Sequence, residues 1–464
     1  MYDPSSSESI IRFAKKLKNQ TLRRACSEKI EKHGYKGKGN FGQILEKFYF
    51  GYKPNSDAEP DFPKAKVELK SSPLKTLKNG AFRSKERLVL NIINYLEVHK
   101  EEFYGSSFWK KNAHLLVVFY LHDKELDLLD YIIKLVDEWK YPDVDLKIIK
   151  RDWMLINQKI KDGKAHELSE GDTFYLGACT KGSTALKSLR DQPFNEAKAK
   201  QRAYSLKQGY VNHIIANIAQ EEEGTYGKII DNVALIDEVN SIEDIVISKF
   251  HPFYGKTAAQ IQQELGFDLN SGNKSYCANL TKAVLGIELG QKIEEFEKAD
   301  IQVKTVRLKE SLLPDQHISF PAFKYEELVE ENWDESQFKK ILESKFFFVF
   351  YLKENNNEVV QKVKFWNMPY ADILESRFVW RRTKRLVSRG RIVKSVKDSG
   401  VKKIRKVHFP KSTEHRICHV RPHAQSTTDT YDLPVPDELT GVKEYTKHSF
   451  WLNASYIKKE VYEK

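Results

Sequence analysis

The feature that most restricts the fold is a recurrence within the chain. Asp61-Phe-Pro-Lys-Ala-Lys-Val-Glu-Leu-Lys lies against Glu295-Phe-Glu-Lys-Ala-Asp-Ile-Gln-Val-Lys, and Val118-Phe-Tyr-Leu121 returns as Val349-Phe-Tyr-Leu352. Asn40-Phe-Gly-Gln-Ile-Leu-Glu-Lys aligns with Ser275-Tyr-Cys-Ala-Asn-Leu-Thr-Lys, and Tyr204-Ser-Leu with Phe450-Trp-Leu. The offset stays at roughly 230–250 residues throughout, which means one unit copied once. A chain of 464 residues is therefore expected to fold as two similar domains, 1–220 and 241–464. The linker is expected over 221–240, opening with Glu221-Glu-Glu-Gly.

The first copy carries a set of groups suited to phosphodiester hydrolysis. If Val67–Ser71 is a strand, Glu68 and Lys70 share one of its faces, because side chains alternate with a period of two. Asp61 precedes Glu68 by six intervening residues, and Glu46 lies on a preceding helix expected over Phe41–Tyr49. Carboxylates hold a hard cation such as Mg²⁺ through oxygen, and a lysine beside it can orient or deprotonate water. In the second copy Asp61 becomes Glu295, Glu68 becomes Gln302 and Glu46 becomes Thr281, while Lys70 is kept as Lys304. That loss removes tight Mg²⁺ binding from the second half. Arg381–Lys406, with twelve basic residues and one acidic, keeps it strongly basic. A binding domain beside a catalytic one is the expectation.

The formal net charge of +12 points to a polyanionic partner. Cys26, Cys179, Cys277 and Cys418 are scattered without a Cys-x-x-Cys pair, which argues against a zinc site or a disulfide scaffold. The longest apolar runs, Leu115–Leu121 and Phe346–Leu352, are too short to span a bilayer and read as buried strands. With no signal pattern at the N-terminus, a cytoplasmic protein without a membrane partner is expected.

Local patterns place helices from a Ser5-x-x-Glu8 capping box to about Lys18, over Thr21–His33, over Glu86–Val98 and from Asp152 to Ile160. The loop Gly34-Tyr-Lys-Gly-Lys-Gly-Asn40 lacks a Gly-Lys-Ser/Thr ending and so is no nucleotide P-loop, but it could bring amides and lysines to a phosphate backbone. Lys198–Lys207, which mixes Lys and Arg with Tyr204, reads as a nucleic-acid face.

These residues resemble a known family. Lys38-Gly-Asn-Phe-Gly-Gln-Ile-Leu-Glu46, Pro60-Asp61, Val67-Glu-Leu-Lys70 and Arg202-Ala-Tyr-Ser-Leu-Lys207 look like the MutH fold group. That group comprises mismatch-repair nicking enzymes and GATC-cutting type II restriction endonucleases. With Ser84-Lys-Glu-Arg-Leu-Val-Leu-Asn-Ile-Ile-Asn-Tyr95 and the two-copy layout, the likeness is to the two-domain, type IIE members. It implies an α/β fold of two tandem PD-(D/E)xK domains, each a mixed sheet flanked by helices. It also implies Asp61 and Glu68 as Mg²⁺ ligands, Lys70 as the catalytic lysine, Glu46 as a supporting acid and Lys111 as a second active-site lysine. Lys38, Gly39 and the loop Thr180, Lys181, Gly182 fall where the family contacts DNA, as do Tyr204, Ser205 and Lys207. In the second copy Arg421, Pro422 and Trp451 fall at such positions, Arg421-Pro422 preserving a pair that the repair enzymes carry. Ser205 stands where the repair branch has a tyrosine that helps sense adenine methylation, so weak discrimination against methyladenine is expected.

The resemblance implies cleavage before the G of GATC in double-stranded DNA, by a protein that is a monomer in isolation or a dimer on DNA. The second copy would bind another GATC as an effector. A repair-type nicking enzyme and a DNA-binding protein without catalysis are the alternatives.

Overall fold

The computed structural model describes residues 1–27, 29, 41–53, 59–181, 188–221, 226–230, 241–273, 275–354, 357–398 and 403–464. The chain is mixed α/β and divides into two compact units. Unit 1 is Met1–Ser241 with Gly290–Ile301, and unit 2 is Ile242–Leu289 with Gln302–Lys464. The segment 290–301, which sequence order assigns to the second half, thus packs with the first. Part of the expected linker is also built into unit 1, where Tyr226–Gly227 pairs in parallel with Lys292–Ile293.

Unit 1 opens with helix α1 (Ser7–Lys15), whose N-cap is Ser6 rather than Ser5: the Ser6 hydroxyl accepts from the Ser9 amide. Its apolar side chains Ile10, Ile11 and Ala14 fall on one face and are buried. Thr21 caps a helix of four residues, Leu22–Ala25; the rest of the expected helix to His33 lies largely outside the described residues. The main sheet contains β1 (Glu68–Thr76), β2 (Phe82–Ser84), β4 (His114–Leu121) and β5 (Ile133–Lys140), in the order β2-β1-β4-β5. β1 and β4 are parallel and the outer pairs antiparallel, so the sheet is mixed. Leu115–Phe119 is buried on both faces, as a central strand covered on two sides must be. A second, three-stranded antiparallel sheet sets β7 (Arg202–Leu206) between β3 (Leu88–Ile92) and β6 (Leu176–Thr180). Each domain was expected to have one sheet; unit 1 has this second one besides.

The helix expected over Glu86–Val98 is therefore the strand β3 followed by one turn, Tyr95–Val98. Leu88 and Leu90 alternate inward, while Ile92 and Leu96, the positions that suggested a helical face, are each 47% exposed. Helix α2 (Asp143–Lys161) is longer than its apolar pattern suggested and buries Asp152, whose carboxylate accepts the amides of Phe174, Tyr175 and Leu176 at 2.6–2.9 Å. This ties α2 to the start of β6. Helix α3 (Gln208–Ala219) follows β7.

Unit 2 repeats this order. Strands β8 (Gln302–Leu308), β10 (Phe346–Glu354) and β11 (Asn357–Trp366) form a sheet, β8 and β10 parallel, β10 and β11 antiparallel. Helix α4 (Tyr370–Ser388) has 19 residues, as α2 does. The basic run past its end forms the hairpin β12 (Val393–Asp398) and β13 (Lys403–Val407). A second sheet sets β15 (His448–Leu452) between β9 (Ile318–Ser319) and β14 (Cys418–Pro422).

The likeness extends to single side chains. In unit 1 the Tyr210 hydroxyl donates to Asp145 Oδ2 at 2.9 Å; in unit 2 Tyr456 donates to Asp372 Oδ2 at 2.7 Å. A cation completes each buried carboxylate, Lys298 on Asp145 and Arg416 on Asp372. All four cysteines are free and buried.

Candidate active site

The parallel pairing of β1 and β4 sets Glu68 opposite Leu115 and Lys70 opposite Val117. At this end of β1 the expected groups converge. Ahead of the strand the chain doubles back in a turn, with a bridge between Phe62 and Val67 and Lys66 in the left-handed region (φ 55°). The turn carries Asp61 to the strand's first residues. There the Leu69 amide donates to Asp61 Oδ2 at 3.0 Å, and the Asp61 amide donates to Glu68 Oε2 at 3.0 Å. Lys70 Nζ donates to Glu68 Oε1 at 2.7 Å and to the Leu90 carbonyl at 3.1 Å. Lys111, from a helix capped by Ser106, brings its Nζ to 3.8 Å from Glu68 Oε1.

Glu46 reaches the same place from a segment that is not a simple α-helix. Phe41–Ile44 is α-helical, and Leu45–Phe50 widens to π-helix, ending at the left-handed Gly51 (φ 82°). Burial raises the Glu46 pKa, the charge of Glu68 adds to this, and Lys70 and Lys111 oppose it. Asp61 is pushed up to about 7, first by burial and then by the charge of Glu68. Three carboxylates, Glu46, Asp61 and Glu68, thus share a partly buried place with two lysines.

Tyr52 is a member of this cluster that sequence reasoning missed. Its amide donates to the Glu46 carbonyl at 3.1 Å, and its ring packs edge-on against Phe62 at 5.4 Å. Its hydroxyl is buried with no hydrogen-bond partner among the described residues, and its pKa is raised by burial and by the charges of Asp61, Glu46 and Glu68. One signal could have found it. The left-handed Gly51 and Gly286 (φ 79°) fix the alignment of the copies, and Tyr52 then falls on Ile287, so the phenol disappears together with the acids.

The family model for the DNA mismatch repair enzyme MutH matches residues 50–152, which include Asp61, Glu68, Lys70 and Lys111. The type II restriction enzyme Sau3AI of Staphylococcus aureus is 39% identical over 459 residues, covering 91% of this chain and 92% of that protein. The chain belongs to the Sau3AI family of type II restriction endonucleases. It is a site-specific deoxyribonuclease, and DNA is its partner. Among the described residues no helix is long and apolar enough to cross a membrane.

Type II restriction endonucleases generally need a divalent metal. Among the described residues no cluster of three or more His, Cys, Asp or Glu side chains is disposed to hold one. The donor chemistry nevertheless fits. Mg²⁺ is held by one or two carboxylates together with water and substrate phosphate, so Asp61 and Glu68 suffice. The raised pKa values of Asp61 and Glu46 mark negative charge that a cation would relieve.

The expected DNA contacts of this endonuclease divide sharply. Lys38, Gly39 and Gly182 lie outside the described residues. Thr180 and Lys181 are half-buried at the end of β6. Tyr204 and Ser205 are 0% exposed and Lys207 4%, with Lys207 Nζ donating to the carbonyls of Thr173 and Ala299. The reading of these three as a nucleic-acid face is corrected: β7 is the middle strand of its sheet and buries Tyr204 and Ser205, and Lys207, just past its end, turns inward to those carbonyls. In unit 2, by contrast, Arg421 and Pro422 are exposed, and the Arg421 guanidinium lies 5.0 Å from the centre of the Trp451 ring. His423 stands 5.5 Å from the same ring.

Proposed function

We propose that this enzyme hydrolyses both strands of DNA at 5′-GATC-3′, before the G, leaving 5′ overhangs, in a Mg²⁺-dependent reaction. The observation that carries it is the meeting of Asp61, Glu68, Lys70 and Lys111 at the start of β1 in a Sau3AI relative. Asp61 and Glu68 would hold Mg²⁺, which when bound stabilises the charge developing on the phosphate. Lys70, whose ammonium donates to Glu68 and to the Leu90 carbonyl, would orient the attacking water through its remaining N–H. Lys111 adds positive charge beside the scissile phosphate, and Glu46 supports the acids.

Residues 1–220 would form the catalytic MutH-like domain, 221–240 the linker, and 241–464 a diverged copy that binds a second GATC and activates the first. The loss of Glu46, Glu68 and Tyr52 equivalents supports this division, as does the exposed Arg421 packed on the half-buried Trp451 ring. GATC is palindromic, so a second chain on the DNA supplies the second active site. With Ser205 buried and far too short to reach a methyl group, adenine-methylated GATC is expected to be cut.

Incubation with a GATC plasmid and Mg²⁺, followed by sequencing of the ends, tests the reading. Linear products beginning 5′-GATC are expected; products nicked in one strand would favour a repair-type enzyme. Asp61→Ala is expected to lose cleavage and retain DNA binding. Cleavage surviving that change would remove the site from its assigned place.

A further inference from the structure

Unit 2 contains a cleft of about 340 Å³ lined by residues of β8, including Lys304 and Arg307, and by Asp315 and His317. Its place within the unit is that of the active site in unit 1: Lys304 pairs with Phe348 on the neighbouring parallel strand as Lys70 pairs with Val117. The acids are gone or engaged elsewhere. Gln302 stands for Glu68, and the Thr281 hydroxyl lies 2.9 Å from that of Tyr351. The Glu295 carboxylate accepts the amides of Ile229 and Ile230 at 2.9–3.1 Å.

What remains is a lysine without an acid. Among the described residues Lys304 makes no ion pair, and its ammonium lies 5.5 Å from the centre of the Phe320 ring. Burial pulls its pKa down, and no carboxylate acts to restore it. The other charges of the cleft have partners: Arg307 lies 3.2 Å from Glu358, and Asp315 lies 4.0 Å from Lys309. His317 accepts the Ala454 amide at 3.0 Å. A poorly solvated ammonium without a counter-charge destabilises a fold, and methionine would fill the same space without that cost. We propose that this cleft is an anion seat that holds one phosphate group of a bound nucleic-acid backbone against Lys304 and, lacking the acids, leaves it uncut. The inference rests on the reading of 241–464 as a DNA-binding copy.

The test uses the full chain without divalent cations. Thermal unfolding in inorganic phosphate is compared with chloride at equal ionic strength, for wild type, Lys304→Met and Lys304→Arg. Wild type and Lys304→Arg are expected to melt higher in phosphate. Lys304→Met is expected to melt above wild type in chloride and to gain nothing further from phosphate. In GATC-duplex titrations the slope of log K against log salt should fall by about 0.9 in Lys304→Met, the loss of one phosphate contact. A phosphate response that persists in Lys304→Met, or a variant that melts lower in chloride, would overturn the seat. Stimulation of cleavage by a second GATC duplex is scored separately. If stimulation occurs without a Lys304-dependent phosphate response, the seat falls and the effector reading stands; the reverse result removes the effector reading alone.

Discussion

At the scale of single residues, Asp61 is a carboxylate placed where its charge is costly. A carboxylate whose pKa rises from 3.8 in the unfolded chain to about 7 in the folded one keeps a proton between those values that the unfolded chain has released. Rising pH therefore removes stability through that window, and above about pH 7 the whole penalty is present. Asparagine can still accept the Leu69 amide but cannot ionise. Asp61→Asn should thus melt higher than wild type at pH 8 in chelator, by on the order of 3 kcal/mol, and should match it below about pH 4. A variant that is no more stable at pH 8 would place the strain elsewhere. Tyr52→Phe removes a hydroxyl that has no partner among the described residues, so stability should be unchanged or slightly raised. Cleavage should nevertheless fall about tenfold, the effect of one lost hydrogen bond of roughly 1.5 kcal/mol to a charged group. The Mg²⁺ concentration for half-maximal rate should rise and KM for DNA stay constant; an unaltered rate would make Tyr52 packing alone.

At the scale of elements, the segment 290–301 is held to unit 1 by close backbone approach. A Cβ on Gly209 would lie 1.8 Å from the Glu297 carbonyl oxygen, a contact only backbone movement could relieve, and the Gly209 amide donates to Asp300 at 3.2 Å. Gly209→Ala should destabilise unit 1 by about 3 kcal/mol and increase hydrogen exchange over residues 290–301. Unaltered exchange there would mean that α3 does not anchor the segment. This contact was not legible in the sequence, because a glycine in a helix reads as a weak helix former and gives no hint of what lies against it. The long apolar strands were legible, since Leu115–Phe119 and Phe346–Phe350 are buried on both faces and composition alone marks them. β3 was not: Leu88, Ile92, Ile93 and Leu96 mimic a helical stripe, and only its pairing with β7 decides the conformation. The shared face of Glu68 and Lys70 could be read from the strand period, whereas Lys111 entered only through the family resemblance. Tyr52, which follows a π-helical turn, shows itself only when the alignment of the copies is carried on to Gly51 and Gly286. The end of the basic stretch Lys198–Lys207 misled for a related reason, as charge in a sequence does not reveal that Lys207 points inward at carbonyls.

At the scale of the whole molecule, the four-stranded main sheet of unit 1 and the three-stranded one of unit 2 share three strands of the same order and directions, and only unit 1 brings the expected acids together. The two units share a frame, down to a buried Tyr–Asp pair in each, while β8 has Gln302 where β1 has Glu68 and both strands carry a lysine two residues on. Retaining a frame and a cation after losing the catalytic acids is intelligible if the second copy still meets the same polyanion. Two duplexes bound by one chain are then coupled, and the coupling acts in both directions. A plasmid with a single GATC should therefore be cut several-fold more slowly than one of equal length with several. A short GATC duplex added in trans should restore the rate, whereas a duplex of scrambled sequence should not. The enhancement should weaken as salt rises, since the contacts that hold the second duplex are largely to phosphate. Equal rates on one-site and many-site plasmids, with no response to the added duplex, would leave the second unit without an effector role and its retained frame unexplained by DNA.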